Sequence, residues 1–267
     1  MTWKHDCAMA RLVGTFALAG LLMGQGPPAV SPIDLYRQGH YEEAIAAGKE
    51  TGDGAGFAVA ARAALAIATL GDGDPCLECL QRAERLARAS IAADPVRPEG
   101  HVYLAVSRGS EARIIGMVRA GAAGYADEAK KALQAALAAE PNDPWALAAF
   151  GGWNIEIVRN GGAFMAGLVY SASEDDGRAF FARAFAADPG NLVLRFQYAL
   201  SLSGYDLNGA RAEIQDALVR AAAGTPRTAY DRVTKGRAQK LLDLLQAGDD
   251  DAYAALVRRY QGFPPAS

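Results

Sequence analysis

The sequence predicts an all-α protein, a superhelical array of about five helical hairpins with a C-terminal capping helix. Two observations predict it. An alanine is followed twelve residues later by the proline of an acid-proline step, Ala83 before Pro95 and Ala129 before Pro141, and Gly177 takes the alanine's place before Pro189. A small residue lets two helices touch, and proline ends the second helix because it lacks an N–H and its ring clashes with the preceding turn. The chain of 267 residues is 51% apolar and only 8% aromatic, with few β-branched runs, which favours helix over strand.

The N-terminus reads as separate from the fold. Lys4, His5 and Arg11 make a weakly basic start, and Leu12 to Met23 is a nearly uniform apolar run followed by a Gly/Pro segment. Twelve apolar residues fall short of the roughly 20 that a membrane-spanning helix needs. Residues 1–26 are therefore expected to be a secretory signal peptide, and the protein to be exported, periplasmic or secreted. Asp6 keeps an uncleaved anchor as the alternative. Cys7 falls inside this leader, and no cysteine follows the apolar run to carry a lipid.

The repeat domain is expected over 31–262, with 263–267 as a frayed tail. The first hairpin turns at Gly39, and Tyr41 and Ala44 open its second helix. Further second helices are predicted at Pro75–Ala93, Ala126–Ala139, Asp175–Ala187 and Gly209–Ala222. Their small anchors are Ala44, Ala83, Ala129, Gly177 and Ala210, spaced 39, 46, 48 and 33 residues apart. Positions four, seven and eight after the anchor are apolar or small, as in Phe181, Ala184 and Phe185, which is one face of an α-helix. First helices carry Val102 to Val106, Leu147 to Ile155 and Phe196 to Leu202. Tyr230–Gln246 and Asp250–Tyr260 read as capping helices whose Lys235, Arg237, Lys240 and Arg258 give a polar outer face.

The run Gly151–Val158 (GGWNIEIV), Tyr41–Ile45 (YEEAI) and the acid-proline helix ends resemble tetratricopeptide (TPR) repeats. The long fourth unit, with Gly151-Gly-Trp153, Phe180-Phe-Ala-Arg-Ala184 and Asp188-Pro-Gly190, resembles the regulator-of-microtubule-dynamics type of repeat protein. It is also similar to the repeat subunit that accompanies some tripartite periplasmic transporters. The resemblance covers roughly residues 95 to 245 and implies stacked TPR-like hairpins with a concave binding face.

Chemistry-bearing motifs are few. Cys76 and Cys79 form a CxxC at a helix start, which suits a local disulfide in an oxidising compartment. Redox or metal chemistry is the alternative, but no βαβ context accompanies the motif and no paired ligands complete a zinc site. His40 and His101 stand singly. Glu42 with Glu43, and Asp175 with Asp176, point about 100° apart on a helix and fit a helix's first turn better than a catalytic pair. No catalytic residues, metal or cofactor are therefore expected. The net charge of −3, with no basic run, excludes nucleic acid as a natural partner.

The segments Ile114–Tyr125 and Gly161–Ser173 are unusually apolar. Either they lengthen first helices and pack on their own repeats, or they fold over the inner face and line a pocket, with Gly161-Gly162 permitting the bend. The inner face itself is predicted to carry an apolar stripe containing Val102, Val106, Trp145, Ile155, Phe196 and Leu200. The same residues fall in the core if the helix phase shifts by one step. These features favour a non-catalytic scaffold that binds a protein or peptide, for example an envelope complex or a transporter. The second reading is an accessory subunit that binds a small molecule or lipid for a periplasmic transport system.

Overall fold

Proline, glycine and short capping side chains divide the chain into helices. The computed structural model describes residues 30–71 and 74–265, so the expected signal peptide lies outside the described residues. Every regular element among them is an α-helix. Helices α1 (Pro32–Gln38) and α2 (Tyr41–Glu50) form the first hairpin, and Gly39 turns between them at φ 95°. The second pairs α3 (Gly54–Leu70) with α4 (Leu77–Ala93), and the third pairs α5 (Pro98–Ile115) with α7 (Tyr125–Ala139) around a short α6 (Met117–Ala122). Helices α8 (Pro144–Tyr170) and α9 (Glu174–Ala187) form the fourth, and α10 (Leu192–Asp206) and α11 (Arg211–Ala223) the fifth. The chain ends with α12 (Ala229–Ala247) and α13 (Asp250–Tyr260).

Each first helix also packs on the next one: α1 on α3, α3 on α5, α5 on α8, α8 on α10 and α10 on α12. This places the first helices side by side along one continuous wall. The small anchors explain how closely the pairs approach. Ala44 and Ala83 are wholly buried, and Ala129, Gly177 and Ala210 nearly so. At the α8–α9 crossing only glycine fits. A Cβ on Gly177 would lie 2.7 Å from Ile155 Cγ1, and one on Gly151 would lie 2.8 Å from the Gly177 carbonyl oxygen. Such distances force the helices apart.

The acid-proline steps end helices as their chemistry requires. Asp94, Glu140 and Asp188 are the first residues beyond α4, α7 and α9, and each N–H closes the last turn onto Ser90, Ala136 and Ala184 respectively. The acids are then available for side-chain bonds. Asp188 receives Arg227 Nη1 and Nη2, each at 2.8 Å, across to the approach to α12.

The apolar faces merge into two main clusters. One gathers Tyr36, Ile45, Leu80, Leu104 and Leu133 from the first half of the chain. The other gathers Phe181, Leu194, Ile214, Leu218, Leu241 and Tyr253. The capping helices therefore contribute core, and their outer face is less simple than expected. Arg237 does not point to solvent as a cap residue would. It donates to the carbonyls of Thr69 and Leu70 at 2.8 and 3.1 Å, while α12 packs on α1 and α3. The two ends of the stack meet there.

Candidate functional site: an apolar cavity with an arginine-rich wall

Side-by-side first helices curve around a cavity of about 1340 Å³. That exceeds the few hundred to 1,000 Å³ typical of small-molecule sites. Val102 and Val106 from α5, Trp145, Ala148 and Gly152 from α8, and Phe196 and Leu200 from α10 all line it. Five of the six predicted stripe residues thus meet at one surface. Val102, Phe196 and Leu200 are each only 3% exposed, and Trp145 and Phe196 pack on the core as well. They hold the helices together with one side and form the wall with the other. The choice between stripe and core was not exclusive.

Ile155 is the exception. It is 1% exposed, faces α9 against Gly177 and does not line the cavity. Around it on α8 the lining positions are Gly152, Trp153, Glu156, Ile157 and Asn160. Ile155 falls one step out of that phase, in the seam between the two helices.

Both apolar insertions reach the cavity. Gly161–Ser173 continues α8, which bends at Gly162 (φ 71°, ψ 157°), a conformation open essentially to glycine alone. Beyond the bend, Met165, Ala166, Val169 and Tyr170 line the cavity, as do Met117, Ala120 and Gly121 of α6. Lys130 Nζ donates to the Tyr170 carbonyl, which ties the end of α8 to α7, and Trp153 Nε1, before the bend, donates to the Ala126 carbonyl of α7. Met117, Met165 and Val169 line the cavity and are also solvent-exposed, so they mark its mouth. Beside them Val118, Phe164 and Leu168 are 90%, 79% and 69% exposed. Residues 161–173 contain no charge, and α6 carries only Arg119.

The charge of the wall is one-sided. Among the described residues it contains six arginines (62, 108, 113, 237, 258 and 259) against two carboxylates, Asp74 and Glu156. Arg108 is neutralised locally by ion pairs to Glu84, Glu111 and Glu128. Burial pushes the Glu111 carboxyl above its ordinary range, against the pull of Arg108. Arg62 has no carboxylate in ion-pair contact among the described residues. It stacks instead between Tyr36 and Trp145, its guanidinium carbon 4.4 and 5.2 Å from the ring centroids.

Sequence reasoning missed a further group. Arg113, Arg159 and Arg258 converge on Phe263, with guanidinium carbons 5.9, 4.8 and 5.0 Å from its ring centroid. Gln261 is anchored beside it, donating to the Leu200 carbonyl at 2.8 Å. Residues 263–265 line the cavity, so the part of the expected frayed tail that is described lies against the site. No local pattern signals this cluster, because its members come from α5, α8, α13 and the tail.

The remaining candidates have local explanations. Cys76 and Cys79 are joined by a disulfide, and Cys76 caps α4. His101 Nε2 bonds the Pro95 carbonyl at 2.8 Å, and His40 Nδ1 bonds Glu43 at 3.1 Å. Glu42 receives two bonds from Arg82, which hold its carboxyl below the usual range, while Asp176 joins the Ser173 cap of α9. The described residues contain no group of three His, Cys, Asp or Glu that could hold a metal ion, and no helix among them is long and apolar enough to cross a membrane. No family model matches the chain, and no curated protein matches it significantly.

Proposed function

We propose that this protein is a non-catalytic binding protein of TPR-like superhelical build whose cavity takes up a small apolar or amphiphilic molecule. The observation that carries this reading is the conjunction of a cavity of about 1340 Å³ with a mouth made of exposed apolar side chains. An apolar wall gains by excluding water, and an apolar rim gives such a ligand a continuous path inward. Delivery to an exported transport system suits this reading. Among the described residues the wall offers no nucleophile with an adjacent base of the kind catalysis requires.

A protein or peptide scaffold is the second reading. It is favoured by the patch of Val118, Phe164 and Leu168, since exposed apolar patches mark interaction sites. That partner would sit on the rim, while the small molecule occupies the interior.

Filling the cavity tests the first reading. Gly152 lines the wall, and a Cβ there meets only ordinary contacts, Ser201 Oγ at 3.6 Å and Phe181 Cζ at 4.0 Å. Gly152→Phe also removes a helix-interior glycine, so folding is not penalised by propensity. The variant is expected to keep its helicity and lose at least about tenfold in affinity for a neutral naphthylamine dye, read by dye fluorescence. Unchanged dye affinity places the ligand elsewhere.

A further inference from the structure

The grouping of Arg113, Arg159 and Arg258 is unfavourable as it stands. Three guanidiniums gather around one phenyl ring, and among the described residues Arg113 and Arg159 share one ion-pair partner, Glu156, 3.7 Å from Arg113 Nε and 3.3 Å from Arg159 Nη1. Arg113 and Arg159 are partly buried, and charges of one sign held this close repel one another. Burial pushes the Arg159 guanidinium below its ordinary range, and the neighbouring Arg113 and Arg258 push it further.

The donors are also under-used. Arg113 Nε is buried without a hydrogen-bond partner, and Arg113 Nη1 reaches only the Gln261 carbonyl at 3.3 Å. Contacts with the Phe263 ring consume no N–H. A buried donor left unmet costs free energy, more so on a charged group. Guanidinium forks match the two-oxygen edge of a carboxylate or phosphate. Arg113 and Arg258 line the cavity, so these donors border the same space as the apolar wall of Val106, Trp145 and Leu200.

We infer that the cavity's ligand carries an oxyanion, and that Arg113 and Arg258, backed by Arg159, form its seat. The ligand class is an anionic amphiphile whose apolar body lies along α5, α8 and α10 and whose carboxylate or phosphate reaches the tail end of the cavity. This assignment rests on the small-molecule reading above and deepens it.

The test uses the full chain, with the neutral dye displaced by palmitate, hexadecyl phosphate or hexadecanol. These share a chain length and differ in the head. Palmitate or hexadecyl phosphate is expected to compete at least about tenfold better than hexadecanol, as a charge-assisted bond to arginine implies. The better of the two anions identifies the head. Arg258→Gln, at an exposed position, and Arg113→Gln are each expected to erase most of that preference while hexadecanol competes as before. Arg113→Lys should restore part of it. If wild type binds dye but the anions and the alcohol compete equally, the oxyanion seat is refuted and the apolar cavity stands. If the arginine variants lower Tm without changing the preference, the cluster only clasps the tail and the inference fails. A protein that binds neither dye nor amphiphile overturns both readings.

Discussion

Asp188 and Glu111 are carboxylates that the fold treats in opposite ways. Bonds from Arg227 hold the Asp188 carboxyl below its usual range, with Asn191 assisting against some burial. Its stabilisation is therefore present above the unfolded carboxylate value and is lost as pH falls through the lower folded value. Burial raises Glu111, so its contribution is intact below the unfolded value and is lost as pH rises through the folded one. Relative to wild type, Asp188→Asn is expected to fall in Tm from acid toward neutral pH, whereas Glu111→Gln is expected to gain. Thermal melts across the carboxylate range decide it. Parallel shifts would show that one of the two environments is wrongly assigned. Asp188 was legible as a helix end because proline follows it, but its partner 39 residues away was not.

Among elements, the α8–α9 crossing is a close contact with a sequence signature. Gly177→Val places branched carbon against Ile155 and the Gly151 backbone, and such overpacking costs about 1–3 kcal/mol. A matching drop in the denaturant midpoint with unchanged slope is the expected result, and an unchanged midpoint would mean that the helices have room to part. The second helices were readable nearly to the residue: α4, α7, α9 and α11 begin within two positions of their expected starts. Local periodicity and capping fix those limits. Phase is subtler, which is why Ile155 was assigned to the wall when it sits in the seam. The apolar insertion Gly161–Ser173 could be seen as unusual, and its glycine pair as a bend. Whether it covered its own repeat or the cavity depended on a contact with α7, Lys130 to the Tyr170 carbonyl, that no local pattern encodes.

At the scale of the molecule, Arg237 and α12 join the last described helices to the first ones. Repeat stacks usually fray from their ends, with each unit leaning only on its neighbours. Here the first and last units support one another, so wild type is expected to melt in a single cooperative transition. Arg237→Gln should broaden that transition or split it, most visibly when calorimetric and van't Hoff enthalpies are compared. A variant that melts as sharply as wild type would show that the join is incidental. The sequence could not indicate this contact, because the partners of Arg237 are backbone carbonyls whose chemistry every residue shares.

On the proposed small-molecule reading, joining the ends also changes how a guest would enter. An open helical spring admits a guest by changing pitch along its whole length. A clasped one has lost that elastic mode, so its bore is nearly fixed and exchange falls to the parts that can yield alone. The short α6 and the segment of α8 beyond Gly162 are those parts, since they carry apolar side chains with no layer above them. On the small-molecule reading, turnover of the guest is then expected to follow the opening rate of that rim, and capacity the clasped frame.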